Sequence, residues 1–191
     1  MEDNNLLYER FKTKMEAVSG ECYRVKTLKE AEELVAQLLK AKGVQTVAMV
    51  DSPLTCGLNL TEQLPLAGVT VYKERYQEVT PTVGAGITEM KWGIAELGTL
   101  VQYAVDVQER LCSAFTPIHI ALVQTSALLP NIMTALSVIH SEPQIPGFVG
   151  FVTGPSRTSD IERVLTIGVH GPEQLLAVFV DEQAGEGAIN G

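Results

Sequence analysis

At 191 residues, 46% of them hydrophobic and 19% charged, the chain is long enough for one domain with a buried core and has a globular composition. Its net charge of -9, from 23 acidic and 14 basic residues, argues against a general nucleic-acid-binding or anionic-membrane surface. No run approaches the ~18 apolar residues of a membrane span, and residues 1–5 lack the basic start and apolar stretch of a signal peptide, so a cytoplasmic protein without membrane insertion is expected.

In chain order, the spacing predicts a first helix over residues 3–18, with Leu7, Phe11, Met15 and Val18 on one face. Two readings fit it: a helix packed on its own domain, or an appendage that docks a partner or a second copy in a homodimer. Ser19-Gly20 ends it, and residues 22–25 suit a short strand. Thr27 and Glu30 stand at capping-box spacing and open a helix over 28–42, with Gly43 as its stop. Residues 44–50 form the first clear buried strand. Residues 54–67 leave room for one short helix around Leu60, 69–72 suit a second strand, and 73–82 read as a polar loop. Thr88 as N-cap predicts a helix over 88–95, ended by Gly98. A strand over 99–105, a helix over 107–115 and a strand over 118–123, buried on both faces, follow. Pro130 suits the first turn of a helix reaching His140.

The stretch 148–162 then combines several signals. Residues 148–152 have the length of a buried strand, Gly154-Pro155 is a turn, and Ser159 with Glu162 repeats the capping-box spacing, so a helix is expected from Asp160 to Gly168. Residues 175–180 form a closing strand, and the Gly-rich 183–191 read as a frayed tail. Apolar strands alternating with helices imply a single-domain α/β fold whose mostly parallel sheet is flanked by helices. The domain plan is an N-terminal helix, 1–18, an α/β domain, 19–182, and a flexible tail, 183–191.

Candidate chemistry lies in three places. The loop Thr153, Gly154, Ser156, Arg157, Thr158, Ser159 would place donors at a helix N-terminus, where unpaired N–H groups favour a small carboxylate or phosphate. A capped turn whose Arg157 pairs with a carboxylate fits the same residues. Glu96, with Gly98 and Thr99, would sit at a helix-to-strand turn, and His170 in the turn of residues 168–172. Together Glu96 and His170 could perform acid–base chemistry on a bound anion; either could equally be structural. His119, inside an apolar strand, reads as a core histidine, and His140 as a residue closing a helix. Cys22, Cys56 and Cys112 have no cluster, zinc or disulfide spacing, and no dinucleotide fingerprint is present, so the chain is expected to hold no metal and no redox cofactor.

The run Thr153-Gly154-Pro155-Ser156-Arg157-Thr158-Ser159-Asp160-Ile161-Glu162, followed by Gly168-Val169-His170-Gly171-Pro172, resembles the signature of the LUD (lactate utilisation) domain family. Residues 93–100 and 117–123 match in the same order, so the resemblance covers roughly residues 21–182. One departure stands out: the family usually has Thr where this chain has Leu97, which puts any role of a hydroxyl there in doubt. The resemblance implies the fold of sugar-phosphate isomerases and CoA transferases. It also implies membership of a complex that oxidises L-lactate to pyruvate, with iron–sulfur clusters held by partner subunits. This chain would then supply an anion or substrate pocket, a docking surface, or both. An autonomous isomerase or acyl-transfer enzyme acting on a phosphorylated or CoA-linked ligand, and a non-catalytic scaffold, are the alternatives.

Overall fold

A computed structural model describes residues 3–159, 165–167 and 171–184. The chain opens with helix α1 (Asn4–Ala17), whose N-cap Asp3 accepts from the Asn5 N–H, and passes through Ser19 into β1 (Glu21–Val25). Helix α2 (Leu28–Ala41) carries the expected capping box of Thr27 and Glu30. Then come β2 (Thr46–Met49), α3 (Pro53–Gly57), α4 (Leu60–Leu66), β3 (Thr70–Tyr72), α5 (Tyr76–Val79), β4 (Ala85–Glu89), β5 (Trp92–Ile94) and β6 (Thr99–Ala104). Helix α6 (Val107–Ala114), β7 (Ile118–Gln124), a 3-10 turn at Thr125–Ala127, β8 (Leu128–Leu129), α7 (Ile132–Ser141), β9 (Phe148–Val152), β10 (Arg157–Ser159), β11 (Leu165–Ile167) and β12 (Gln174–Val180) complete it.

Among the described residues the main sheet has six strands in the order β1-β12-β7-β4-β2-β3, every neighbouring pair parallel. Its central strands are largely apolar because both faces are covered. One face, with Val47, Ile87, Ile120 and Val178, packs on α2, α3 and α4. The other, with Ala121, Val123, Ala177 and Phe179, packs on α1 and on a second sheet of order β8-β5-β6-β9. That second sheet is itself covered by α7, through Trp92, Ile94 and Val101 against Ala135 and Ile139. Helices α5 and α6 close the rest of this face over Ala48. The result is an α/β fold with a mostly parallel sheet flanked by helices, as the sequence implies. No helix among the described residues is long and apolar enough to cross a membrane.

The first helix resolves between its two readings by burial. Phe11 and Met15 have no exposed surface, and Phe11 and Tyr8 meet the Phe179 ring edge-on at centroid distances of 4.9 and 5.5 Å. Its apolar face therefore belongs to the domain's own core.

Several elements differ from expectation. Residues 88–95 are not a helix: β4 ends at Glu89 and β5 begins at Trp92. Thr88 is a strand residue with a buried hydroxyl, not an N-cap. Residues 54–67 hold two short helices, with Pro53 in the first turn of α3, and the expected loop 73–82 contains α5. Pro130 precedes α7, whose N-cap is Asn131. Strand β9 is a half-exposed edge strand, with Phe151 45% exposed, and not a buried one. Residues 165–167, expected inside a helix, form a strand; residues 160–164 lie outside the described residues, as does most of the expected tail.

His119 is a core residue, as expected. Its Nε2 lies 2.8 Å from the Thr88 hydroxyl, and burial pushes its pKa down to about 4 from 6.5. An unfolded chain takes up this proton on passing below about 6.5, whereas the folded one resists it until about 4, so stability falls as the pH is lowered through that window. The loss from this group is about 3 kcal/mol. Melting temperatures of the wild type and His119→Gln, compared between about pH 7 and pH 4, should converge as the pH falls. Parallel curves would show that the imidazole does not carry this acid sensitivity.

Candidate functional site

The residues singled out in the sequence separate into groups with different surroundings. Strand β9 belongs to the second sheet, so the loop after it does not emerge at the carboxyl ends of the parallel strands. The Ser156 N–H donates to the Pro172 carbonyl at 2.8 Å, and the Glu173 and Gln174 N–H groups donate to Pro117, at the entry to β7. The loop thus runs along the amino ends of β7 and β12. Beyond it, Arg157, Thr158 and Ser159 pair antiparallel with Ile167, Thr166 and Leu165. The backbone here is a strand ladder, so the helix N-terminus expected to offer free N–H donors is not formed by these three residues. His170 lies outside the described residues.

Of four other predicted residues, Thr99 and Thr153 join neighbouring strands, and Gly98 and Gly154 seat the end of α1. The Thr99 and Thr153 hydroxyls lie 2.7 Å apart, tying β6 to the end of β9. Gly98, at φ 63°, leaves no room for a side chain: a Cβ would lie 2.5 Å from the Met15 nitrogen and 2.7 Å from the Lys14 Cβ. Gly154, at φ 70°, would place its Cβ 2.8 Å from Val18 Cγ2 and 2.9 Å from the Val18 carbonyl oxygen. Both glycines therefore combine a left-handed backbone with close approach of a helix. Gly154→Val is expected to lose about 1–3 kcal/mol of stability, read from chemical denaturation. An unchanged midpoint would show that α1 moves away at no cost.

Glu96 stands apart. It lies in the tight turn between β5 and β6 instead of at a helix end, with its N–H donating to the Pro130 carbonyl at 3.1 Å. Its carboxylate accepts the Ile132 N–H at 3.3 Å, in the first turn of α7. Leu97, at the tip of the turn, is 42% exposed. The structure therefore joins Thr99 to Thr153, brings Gly98 and Gly154 to one helix, and sets Ser156 beside Gly171 and Pro172. It directs Glu96 to α7.

From the sequence the loop of residues 153–159 is expected at the carboxyl ends of the parallel strands, where ligands bind in open α/β sheets; the structure sets other residues there. Arg24 on β1 holds Asp181, just after β12, through a 2.8 Å hydrogen bond. Burial pushes the Asp181 carboxyl up, but the hydrogen bond from Arg24 and the charges of Arg24 and Lys26 outweigh it and leave it below its ordinary value. Lys73 pairs with Asp51 at 2.6 Å. Glu89, the last residue of β4, accepts the Leu54 N–H at 2.9 Å, and Glu182 accepts the Leu28 N–H at 2.8 Å. Glu89, Glu96 and Glu182 thus fill the N-termini of α3, α7 and α2 with the protein's own carboxylates. Helix ends that would attract an anion are already neutralised. The signal for these residues is present in the sequence: a polar residue directly after each apolar run, as at Asp51, Glu89, Gln124 and Asp181.

The cysteines sit in separate surroundings. Cys22 and Cys112 are buried, and burial pushes both thiols up to about 12, away from the thiolate form that a nucleophile or metal ligand needs.

The model of the LUD domain matches residues 8–180. Lactate utilization protein C 1 of Bacillus mycoides is 34% identical over 115 residues, 58% of this chain and 49% of that protein. The chain thus spans about half the length of that relative. Lactate utilization protein C of Geobacillus sp. (strain WCH70) is 26% identical over 189 residues, 88% of this chain and 78% of that protein. A crystal structure of a DUF162 family protein from Deinococcus radiodurans shares the fold, with a TM-score of 0.64 at 17% identity, over 94% of this chain and 99% of the other. With most of its ordered core inside the matched span, the chain belongs to the LUD domain family.

Proposed function

We propose that the chain is the non-redox component of a lactate-utilisation system, one that oxidises L-lactate to pyruvate with its iron–sulfur clusters in separate subunits. The observation that carries this reading is the LUD match over residues 8–180, together with relatives named lactate utilization protein C. The buried, high-pKa thiols of Cys22 and Cys112 support a role without cluster ligation. Within this role, the segment Ser156, Arg157, Thr158, Ser159 binds a small carboxylate or phosphate. A guanidinium flanked by hydroxyls offers a planar fork of donors suited to such a group, and His170 is the acid–base candidate. Glu96 is committed to α7 and takes no part.

The test has two arms. Loss of this chain should abolish growth of the source organism on L-lactate as sole carbon source, and the tagged chain should restore growth and co-purify with cysteine-rich iron–sulfur proteins. Normal growth without the chain overturns the reading. For the anion contact, melting temperatures of the wild type and Arg157→Ala are measured with lactate, pyruvate, phosphate, sugar phosphates and CoA esters. One of these should stabilise the wild type, with binding to Arg157→Ala about ten- to a hundredfold weaker. Equal stabilisation of both proteins, or of neither, removes the anion site from this loop.

A further inference from the structure

The six-stranded and four-stranded sheets end in four edge strands, β1, β3, β8 and β9, and three of these are blunted. Strand β1 carries Glu21 and Arg24, each held in an ion pair, with Lys42 at 2.7 Å and with Asp181 at 2.8 Å. Strand β3 is three residues long and runs into Lys73-Glu74-Arg75, and β8 has two residues. Short strands and charged side chains are the ordinary means of keeping an edge from pairing with another chain. Strand β9 has neither. It is five residues long, Phe-Val-Gly-Phe-Val, and no ionisable side chain occurs between Glu142 and Arg157 in a chain of net charge -9.

The open side of β9 follows from its register. The Val101 carbonyl of β6 accepts the Lys91 N–H at 3.0 Å, so the polar backbone groups of Val101 face the β5 side. Along a strand these groups alternate between its two neighbours. Phe151, opposite Val101 in the antiparallel ladder, therefore turns its N–H and C=O away from β6, and so does Val149. Among the described residues no other strand meets them. The side chains end at the same place. The row Trp92, Val101, Phe151 crosses β5, β6 and β9 on one face, and exposure along it runs from 7% and 0% to 45% at Phe151.

We propose that this edge is a self-association surface: β9 pairs antiparallel with β9 of a second copy of the chain, about a two-fold axis at Gly150, joining the two four-stranded sheets into one continuous sheet. The strand is complementary to itself. With Gly150 on the axis, Val149 faces Phe151 of the second copy and Phe148 faces Val152 of the second copy. Every aromatic ring then meets a β-branched side chain, a favourable cross-strand pair. Val149 and Phe151, whose backbone groups point outward, form the hydrogen-bonded pairs, and the glycine leaves the axis free of side chains. One patch that matches itself is what a two-fold dimer requires. The lack of charge matters because two copies at -9 each repel one another overall, and a neutral strand is where they can meet. This surface is separate from the Arg157 segment and is independent of the lactate reading.

The experiment is sedimentation equilibrium of the full chain at concentrations up to about 1 mM, with amide hydrogen exchange followed over the same dilution series. The chain should show a monomer–dimer equilibrium. The Val149 and Phe151 amides should gain protection as the concentration rises, while the Gly150 amide, directed at β6, should not change. Phe151→Lys, and Phe151→Pro, which removes an N–H directed away from β6, should each weaken dimerisation by about tenfold or more. Met133→Lys and Leu66→Lys, at exposed apolar positions on α7 and α4, should leave it unchanged. The melting temperature of each variant shows that it is folded, and if Phe151→Pro does not fold, Phe151→Lys decides. A chain that stays monomeric at about 1 mM overturns the proposal, and is the result expected if the edge receives a strand of a different protein. So does a dimer whose Val149 and Phe151 amides exchange as in the monomer, wild-type dimerisation in the folded Phe151→Lys variant, or a dimer broken by Met133→Lys or Leu66→Lys.

Discussion

Deletion of residues 1–18 is expected to leave a chain that does not fold. The helix it removes carries Leu7 at 4% exposure, Tyr8 at 6%, and Phe11 and Met15 at 0%. Burying a large apolar side chain contributes about 1.5–3 kcal/mol, so the four together supply about 6–12 kcal/mol. That matches the whole net stability of an ordinary domain, about 5–15 kcal/mol. The deletion would also uncover part of the Phe179 face of the parallel sheet and the backbone surfaces at Gly98 and Gly154. Circular dichroism and the soluble yield of the truncated chain are the measurements. A cooperative melt close to that of the full chain would show that the helix is a separable appendage.

Gly86→Val should be the most damaging single substitution. Helix α6 rests on β4 at this residue, so that a Cβ would lie 2.0 Å from the Cys112 carbonyl oxygen and 2.8 Å from Thr116 Oγ1. The first of these is a backbone atom of a helix already fixed by its own hydrogen bonds, so no side-chain rotation relieves the overlap. Overpacking of a core costs about 1–3 kcal/mol, and a clash of backbone with Cβ belongs at or above the top of that range. In a chain of this size about 3 kcal/mol lowers the melting temperature by roughly 6–12 °C. Gly147→Ala is the control, because a Cβ there meets nothing within 4 Å. Equal melting temperatures for the two variants would mean that α6 does not lie on Gly86.

The parallel sheet was legible in the sequence because strands buried on both faces are written as nearly continuous apolar runs, as in Ile118–Gln124 and Gln174–Val180. Capped helices such as Leu28–Ala41 were legible for the same local reason, a capping box followed by a regular apolar stripe. The second sheet was not. Its β5 is three residues long, and in a run that short helical and strand periodicities are not distinguishable. Thr88 then offered a false N-cap. Ser159 pairs antiparallel with Leu165, while Glu162, its partner in the expected capping box, lies outside the described residues. The amphipathic face of α1 was plain, whereas what it packs on was not, since Phe179 lies far along the chain. The carboxylates that fill helix N-termini were hidden for that reason as well. Glu89 caps a helix 35 residues earlier, Glu96 one 36 residues later, and Glu182 one 154 residues earlier.

The position of β12 between β1 and β7 has a consequence for how the chain is made. β12 is the last of the sheet strands in sequence, yet it pairs with the first. While a ribosome is still adding residues before 174, β1 has no neighbour, and the two edges that will flank β12 stand open. Helix α1 lacks Leu175, Ala177 and Phe179, part of the surface that receives it. The nascent chain can gather β7, β4, β2 and β3 beneath α2 and α6, but its amino-terminal segment must wait, exposed, until the strand that accepts it emerges. Slow closure of this long-range pairing makes the interval the one in which the protein most needs protection from self-association, and it makes any premature stop upstream of β12 equivalent to losing the amino-terminal helix and strand as well.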